Sequence, residues 1–121
     1  PAVTGGIIKS LELATGPDGD QKRIRIIDNA DYLRSLLKDK VDIGTSQSWV
    51  IPIIFGDERK SLPLGDYLMR LGFDFSIMMF PAVKKNKSII RAFVTSEHTK
   101  EQLDGCAEAL IDASKEFNFN L

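Results

Sequence analysis

The sequence predicts an α+β domain: a small, mostly antiparallel sheet of about three strands, covered by helices on one face only. Several observations carry that prediction. The apolar spacing changes from a helical period to a two-residue period and back along the chain. Two strand-like runs, "FDFSIMMF" and "SIIRAFV", are joined by the short loop "PAVKKNK", which suits an antiparallel return. Helical patterns stand at both ends, with no internal repeat and no low-complexity segment between them.

Taken in order, "VTGGIIKSLELATG" reads as a helix with Ile7, Ile8, Leu11 and Ala14 on one face and Gly16 as its stop. "PDGD", Pro17 to Asp20, reads as a turn. From Gln21 to about Lys40 the helical period returns, with Ile26, Ala30, Leu33 and Leu37 inward and a charged outer face. Val50 to Phe55 is β-branched and aromatic and ends at Gly56-Asp57, as a strand and turn would. Pro52 removes a ladder donor, so that strand belongs at an edge or carries a bulge. "SLPLGDYLMRLG" is a short helix with proline in its first turn, Leu64, Leu68 and Leu71 on one face and Gly72 as the stop. In "FDFSIMMF", Phe75, Ile77 and Met79 share a face. Thr99 and Gln102 form a capping box for the last helix, whose inward face runs through Leu103, Cys106, Ala107, Leu110, Ile111 and Ser114.

At 121 residues the chain holds one modest core and no second lobe. Its 16 basic and 17 acidic residues nearly cancel, which leaves no electrostatic footprint for nucleic acid or an anionic membrane. No apolar run reaches the length of a membrane span. The single cysteine, Cys106, permits no internal disulfide, and with one histidine a zinc site of the usual ligands is not expected. The chain opens at Pro1 rather than at a methionine and runs almost directly into a helix, so residues 1–121 are expected to be one small C-terminal domain of a longer protein.

Few motifs point to chemistry. There is no phosphate loop. Asp57-Glu58 reads as a solvated turn, Cys106 as a core thiol, His98 as a satisfied residue at a helix start, and Lys84, Lys85 and Lys87 as a basic hairpin tip. Arg91 stands apart. It shares a strand face with Ile89 and Phe93, while Ile90, Ala92 and Val94 share the other. A guanidinium there either snorkels to water or waits, as a planar fork on a rigid strand, for a carboxylate. The pattern leaves both readings open. It also leaves open a free-standing α+β small-ligand-binding or interaction module, whereas the negative net charge and the lack of aromatics on a basic sheet disfavour RNA binding.

"VIPIIFGD", "YLMRLGFDFSIMMFPAV" and "SIIRAFVTSEHTKEQLD" occur in an order that resembles the C-terminal end of the α-oxoamine synthases. These are pyridoxal-phosphate enzymes of the aspartate-aminotransferase fold, and the resemblance covers nearly the whole chain. It implies a decarboxylative condensation of an amino acid with an acyl-CoA to an α-amino ketone, with the cofactor as electron sink. It also implies that Arg91 grips the amino acid's carboxylate and that Phe80, Pro81, Ala82 and Val83 lie near the acyl-CoA entrance. The open sheet face would then meet an upstream domain that holds pyridoxal phosphate. The whole protein would be a cytoplasmic homodimer, and this chain alone would be inactive, with no catalytic residue and no cofactor ligand of its own. The sequence departs from the family pattern at Ile89, where relatives carry a first arginine, at Phe80-Pro81-Ala82-Val83-Lys84, where many read Pro-Pro-Thr-Val-Pro, and at Trp49.

Overall fold

Alternation along one strand sets the architecture. In the computed structural model, which describes residues 1–121, Ser88, Ile90 and Ala92 of β3 (Ser88–Phe93) are buried, while Ile89 and Arg91 are half-buried and Phe93 is exposed. β3 is the middle strand, with β1 (Val50–Gly56) on one side and β2 (Ser76–Met78) on the other, both antiparallel to it. The helices are α1 (Ala2–Thr15), α2 (Pro17–Leu37), α3 (Ser61–Arg70) and α4 (Lys100–Glu116), with a 3-10 turn at Glu58–Lys60 before α3. This is the expected α+β order, and the expected three-stranded antiparallel sheet.

The core lies between the sheet and α2, α3 and α4. Ile51 and Ile53 of β1 and Ile90 of β3 meet Leu33 and Leu37 of α2, Leu64 and Leu68 of α3, and Leu103 and Leu110 of α4 in one buried cluster. Full burial of side chains of this size contributes about 1.5–3 kcal/mol each. Pro52 sits on an edge strand, as its missing donor requires, and the register slips between Ile54 and Gly56. The capping box of α4 is formed: Gln102 N–H donates to Thr99 Oγ1 and Thr99 N–H to Gln102 Oε1.

Several expectations need correction. Pro17–Asp20 is the first turn of α2 rather than a separate turn: proline at the helix start lacks only an N–H that has no partner there, and Asp18 and Asp20 suit the positive end. α2 ends at Leu37, not near Lys40, because Asp39 takes a positive φ of 62°. β2 is only three residues long, so Phe75 and Met79 flank it. Leu71 lies past the end of α3 and is 48% exposed. The apolar face of α1 is uncovered: the helix packs against α2 and has no buried residue. The C-terminal tail docks, with Phe119 buried against Phe55 at 6.0 Å between ring centroids and Leu121 N–H bonded to Lys40 O at 2.9 Å.

Gly19 fixes the α1–α2 corner, since a Cβ there would collide with the Ala14 carbonyl. Gly19→Ala should therefore loosen α1 while sparing the core. An overpacking penalty of about 1–3 kcal/mol corresponds to roughly a 5- to 150-fold rise in amide exchange. That rise is expected within Ala2–Thr15, with α4 unchanged, in a hydrogen-exchange comparison. Equal acceleration in both helices would contradict this account of the corner.

Candidate functional site

The sheet face turned away from the helices carries one cation in an apolar frame. Cross-strand pairing puts Pro52 of β1 and Ser76 of β2 on either side of Arg91, Ile54 and Met78 on either side of Ile89, and Val50 beside Phe93. Arg91 Nη2 donates to Ser76 Oγ at 2.9 Å, and the guanidinium carbon stands 5.1 Å from the centroid of the Phe93 ring. Arg91 Nε is buried without a partner. None of the ion pairs in the chain includes Arg91. The cation is held by a neutral hydroxyl and a ring, so its charge is free to meet an anion. A guanidinium fixed in this way can accept a carboxylate through two parallel N–H groups.

Beside it, where the chain has yet to enter β2, a pocket of about 280 Å³ opens against the start of α4. Phe73, Phe75, Phe93, Leu103 and Cys106 give it apolar walls, with Arg91 and His98 at its border. Phe73 and Phe75 stack at 6.2 Å. Burial pushes the Cys106 thiol up to about 11, and that makes it a poor nucleophile. His98 is satisfied as expected: Thr95 N–H donates to its Nδ1 at 3.0 Å. A larger crevice of about 750 Å³ wedges between α1 and α2, away from Arg91.

Asn29, hidden among the polar residues of α2, was not picked out from the sequence. It is buried, and its Nδ2 donates to the carbonyls of Thr95 and His98, both at 3.0 Å. It thereby ties the segment after β3 to α2. Ser76 was missed too, because only the strand register reveals that it faces Arg91. Tyr32 supports the same region, donating to Asp104 Oδ1 at 2.7 Å, an interaction that raises its phenol above the ordinary value.

Other sequence candidates lie elsewhere. Phe80, Pro81 and Ala82 are exposed and Val83 half-buried in the turn after β2, closed by Ala82 N–H to Met79 O at 2.9 Å. They do not line the pocket beside Arg91. The lysine tip is exposed, and its Asn86 N–H donates to Glu58 Oε1 at 3.1 Å. Asp57 caps the following turn and accepts from Arg59, which holds its carboxyl below the usual range. No three histidine, cysteine or acidic side chains converge as a metal site would need, and no helix is long and apolar enough to cross a membrane. The pocket has no lysine in its wall, so these residues do not by themselves fit a pyridoxal phosphate.

Solved structures define the class. The fold matches that of a serine palmitoyltransferase from Sphingomonas wittichii (TM-score 0.75, 23% identity, 87% of this chain and 27% of that one). It also matches an 8-amino-7-oxononanoate synthase from Francisella tularensis (TM-score 0.68, 23% identity, 93% and 31%). At such identities the likeness is one of fold, here the C-terminal domain of that enzyme architecture. Sequence adds the family. An 8-amino-7-oxononanoate synthase of Thermoanaerobacter pseudethanolicus is 32% identical over 119 residues, which is 98% of this chain and 30% of that protein. One from Alkaliphilus oremlandii is 37% identical over 95 residues, 78% and 24%. No protein-family model matches. In sequence and fold the chain is a C-terminal domain of the α-oxoamine synthase family, spanning about 30% of the length of the first curated relative.

Two outcomes follow for the site's surroundings. Asn29→Ala should cost about 1–3 kcal/mol, because it removes two hydrogen bonds that a buried side chain makes to the Thr95 and His98 carbonyls, and chemical denaturation would measure it. An unchanged midpoint would remove Asn29 from the support of the site. Alkylation of Cys106 by iodoacetamide should be slow near neutral pH and rise about tenfold per pH unit until about pH 11. A plateau near pH 8.5 would mean that the thiol is not buried as described.

Proposed function

We propose that this chain is the substrate-clamping domain of a pyridoxal-phosphate-dependent acyl-CoA:amino-acid C-acyltransferase. The whole protein would condense an amino acid with an acyl-CoA, release carbon dioxide and form an α-amino ketone. The observation that carries this reading is Arg91: a preoriented guanidinium with no ion-pair partner, on the uncovered face of the sheet. The similarity to 8-amino-7-oxononanoate synthases over 98% of the chain supports it, as does a fold shared with an SPT structure holding PLP (TM-score 0.76, 21% identity).

In this reading the open face of the sheet meets an upstream domain, which supplies the lysine and the rest of the cofactor site. Arg91 binds the amino acid's carboxylate, fixing its orientation. The turn Phe80–Val83, at the far end of β2 from Arg91, borders the acyl-CoA entrance. The chain alone binds no pyridoxal phosphate and is inactive, and the whole protein works as a cytoplasmic homodimer.

The test uses the full-length protein. Incubation with pyridoxal phosphate and reduction by borohydride should add a cofactor-sized mass to one lysine outside residues 1–121. No labelled lysine would leave a binding module or an inactive relative. With the same protein, Arg91→Lys should weaken amino-acid binding by about 1.5–3 kcal/mol, since a point charge replaces a fork. An unchanged dissociation constant would end the clamp role.

A further inference from the structure

We infer that Ser76 and Phe93 are positioning residues that aim Arg91 before any ligand arrives, a role that rests on the clamp reading above. An arginine on an open sheet face has many rotamers, and binding by a mobile guanidinium must first freeze them. Here that freezing is built into the fold. The backbone register sets Ser76 directly opposite Arg91, so its hydroxyl reaches Nη2 at 2.9 Å and fixes the fork within its own plane. Phe93, two residues along the same strand face, lies 5.1 Å from the guanidinium carbon and fixes the tilt of that plane.

The choice of partners matters as much as their number. A carboxylate at position 76 would also hold Arg91, but it would neutralise the charge and compete with an incoming anion. A serine hydroxyl accepts one hydrogen and leaves the charge intact. On the opposite side stands Pro52, whose side chain offers neither donor nor acceptor. Arg91 Nε is enclosed and unpartnered, which shuts the side edge of the fork. The hydrogens of Nη1 and the second one of Nη2 are those left for a ligand, so the carboxylate is received at the tip of the guanidinium.

Calorimetric titration of the full-length, cofactor-loaded protein with glycine, alanine and serine, and with the amine that each would leave on losing its carboxylate, tests this. Ser76→Ala should weaken the amino acid that binds about five- to twentyfold and change its amine less than twofold. Ser76→Thr, which keeps the hydroxyl, should restore wild-type affinity, and Phe93→Leu should weaken the amino acid about threefold. Equal losses for amino acid and amine would show a merely structural residue and overturn the proposal. So would an unchanged amino-acid affinity in Ser76→Ala when Arg91→Lys weakens it, in which case the clamp survives without its aiming residue. If Arg91→Lys has no effect, or no amino acid binds, the clamp reading itself fails and the positioning role falls with it.

Discussion

A middle strand with two unlike faces governs this structure. The two-residue period of β3 sends Ser88, Ile90 and Ala92 into the core and leaves Ile89, Arg91 and Phe93 outside it. A one-residue slip in register would bury the guanidinium among leucines and isoleucines, at a desolvation cost that no neighbour there could offset. The strand is pinned against that slip from both edges. β1 contributes Ile51 and Ile53 to the core side, and β2 presents Ser76 to Arg91. The same pairing that buries the core therefore places the one strong cation of the open face.

Much of this was legible in the sequence because it rests on local pattern. Apolar spacing marks the helices, Pro52 announces an edge strand, and Thr99 with Gln102 announces the start of α4. The alternation Ile89, Arg91, Phe93 was enough to put Arg91 on the face of β3 turned away from the core. Pro17–Asp20 was misread because proline, glycine and aspartate mark turns and helix starts alike. Features set by distant partners were out of reach. Asn29 looks like any polar residue of a solvated face until Thr95 and His98 fold against it. Ser76 is one serine among many until register puts it across from Arg91.

α1 and the open face share a physical trait: both leave apolar side chains at the surface. Ile7, Ile8 and Leu11 are each more than half exposed, and Phe93 is 50% exposed. The first curated relative is about three times as long as this chain. A cation in no ion pair, with no lysine in the wall of the pocket beside it, is what the proposal of an upstream reaction centre expects of this face.

Whether Arg91 is a clamp turns on where a carboxylate goes. A crystal structure of the full-length protein with its amino acid bound tests it most directly. Both carboxylate oxygens should lie within hydrogen-bond distance of Arg91 Nη1 and Nη2, with Ser76 Oγ still on Nη2. A carboxylate held by another residue, with Arg91 turned to water, would contradict the account.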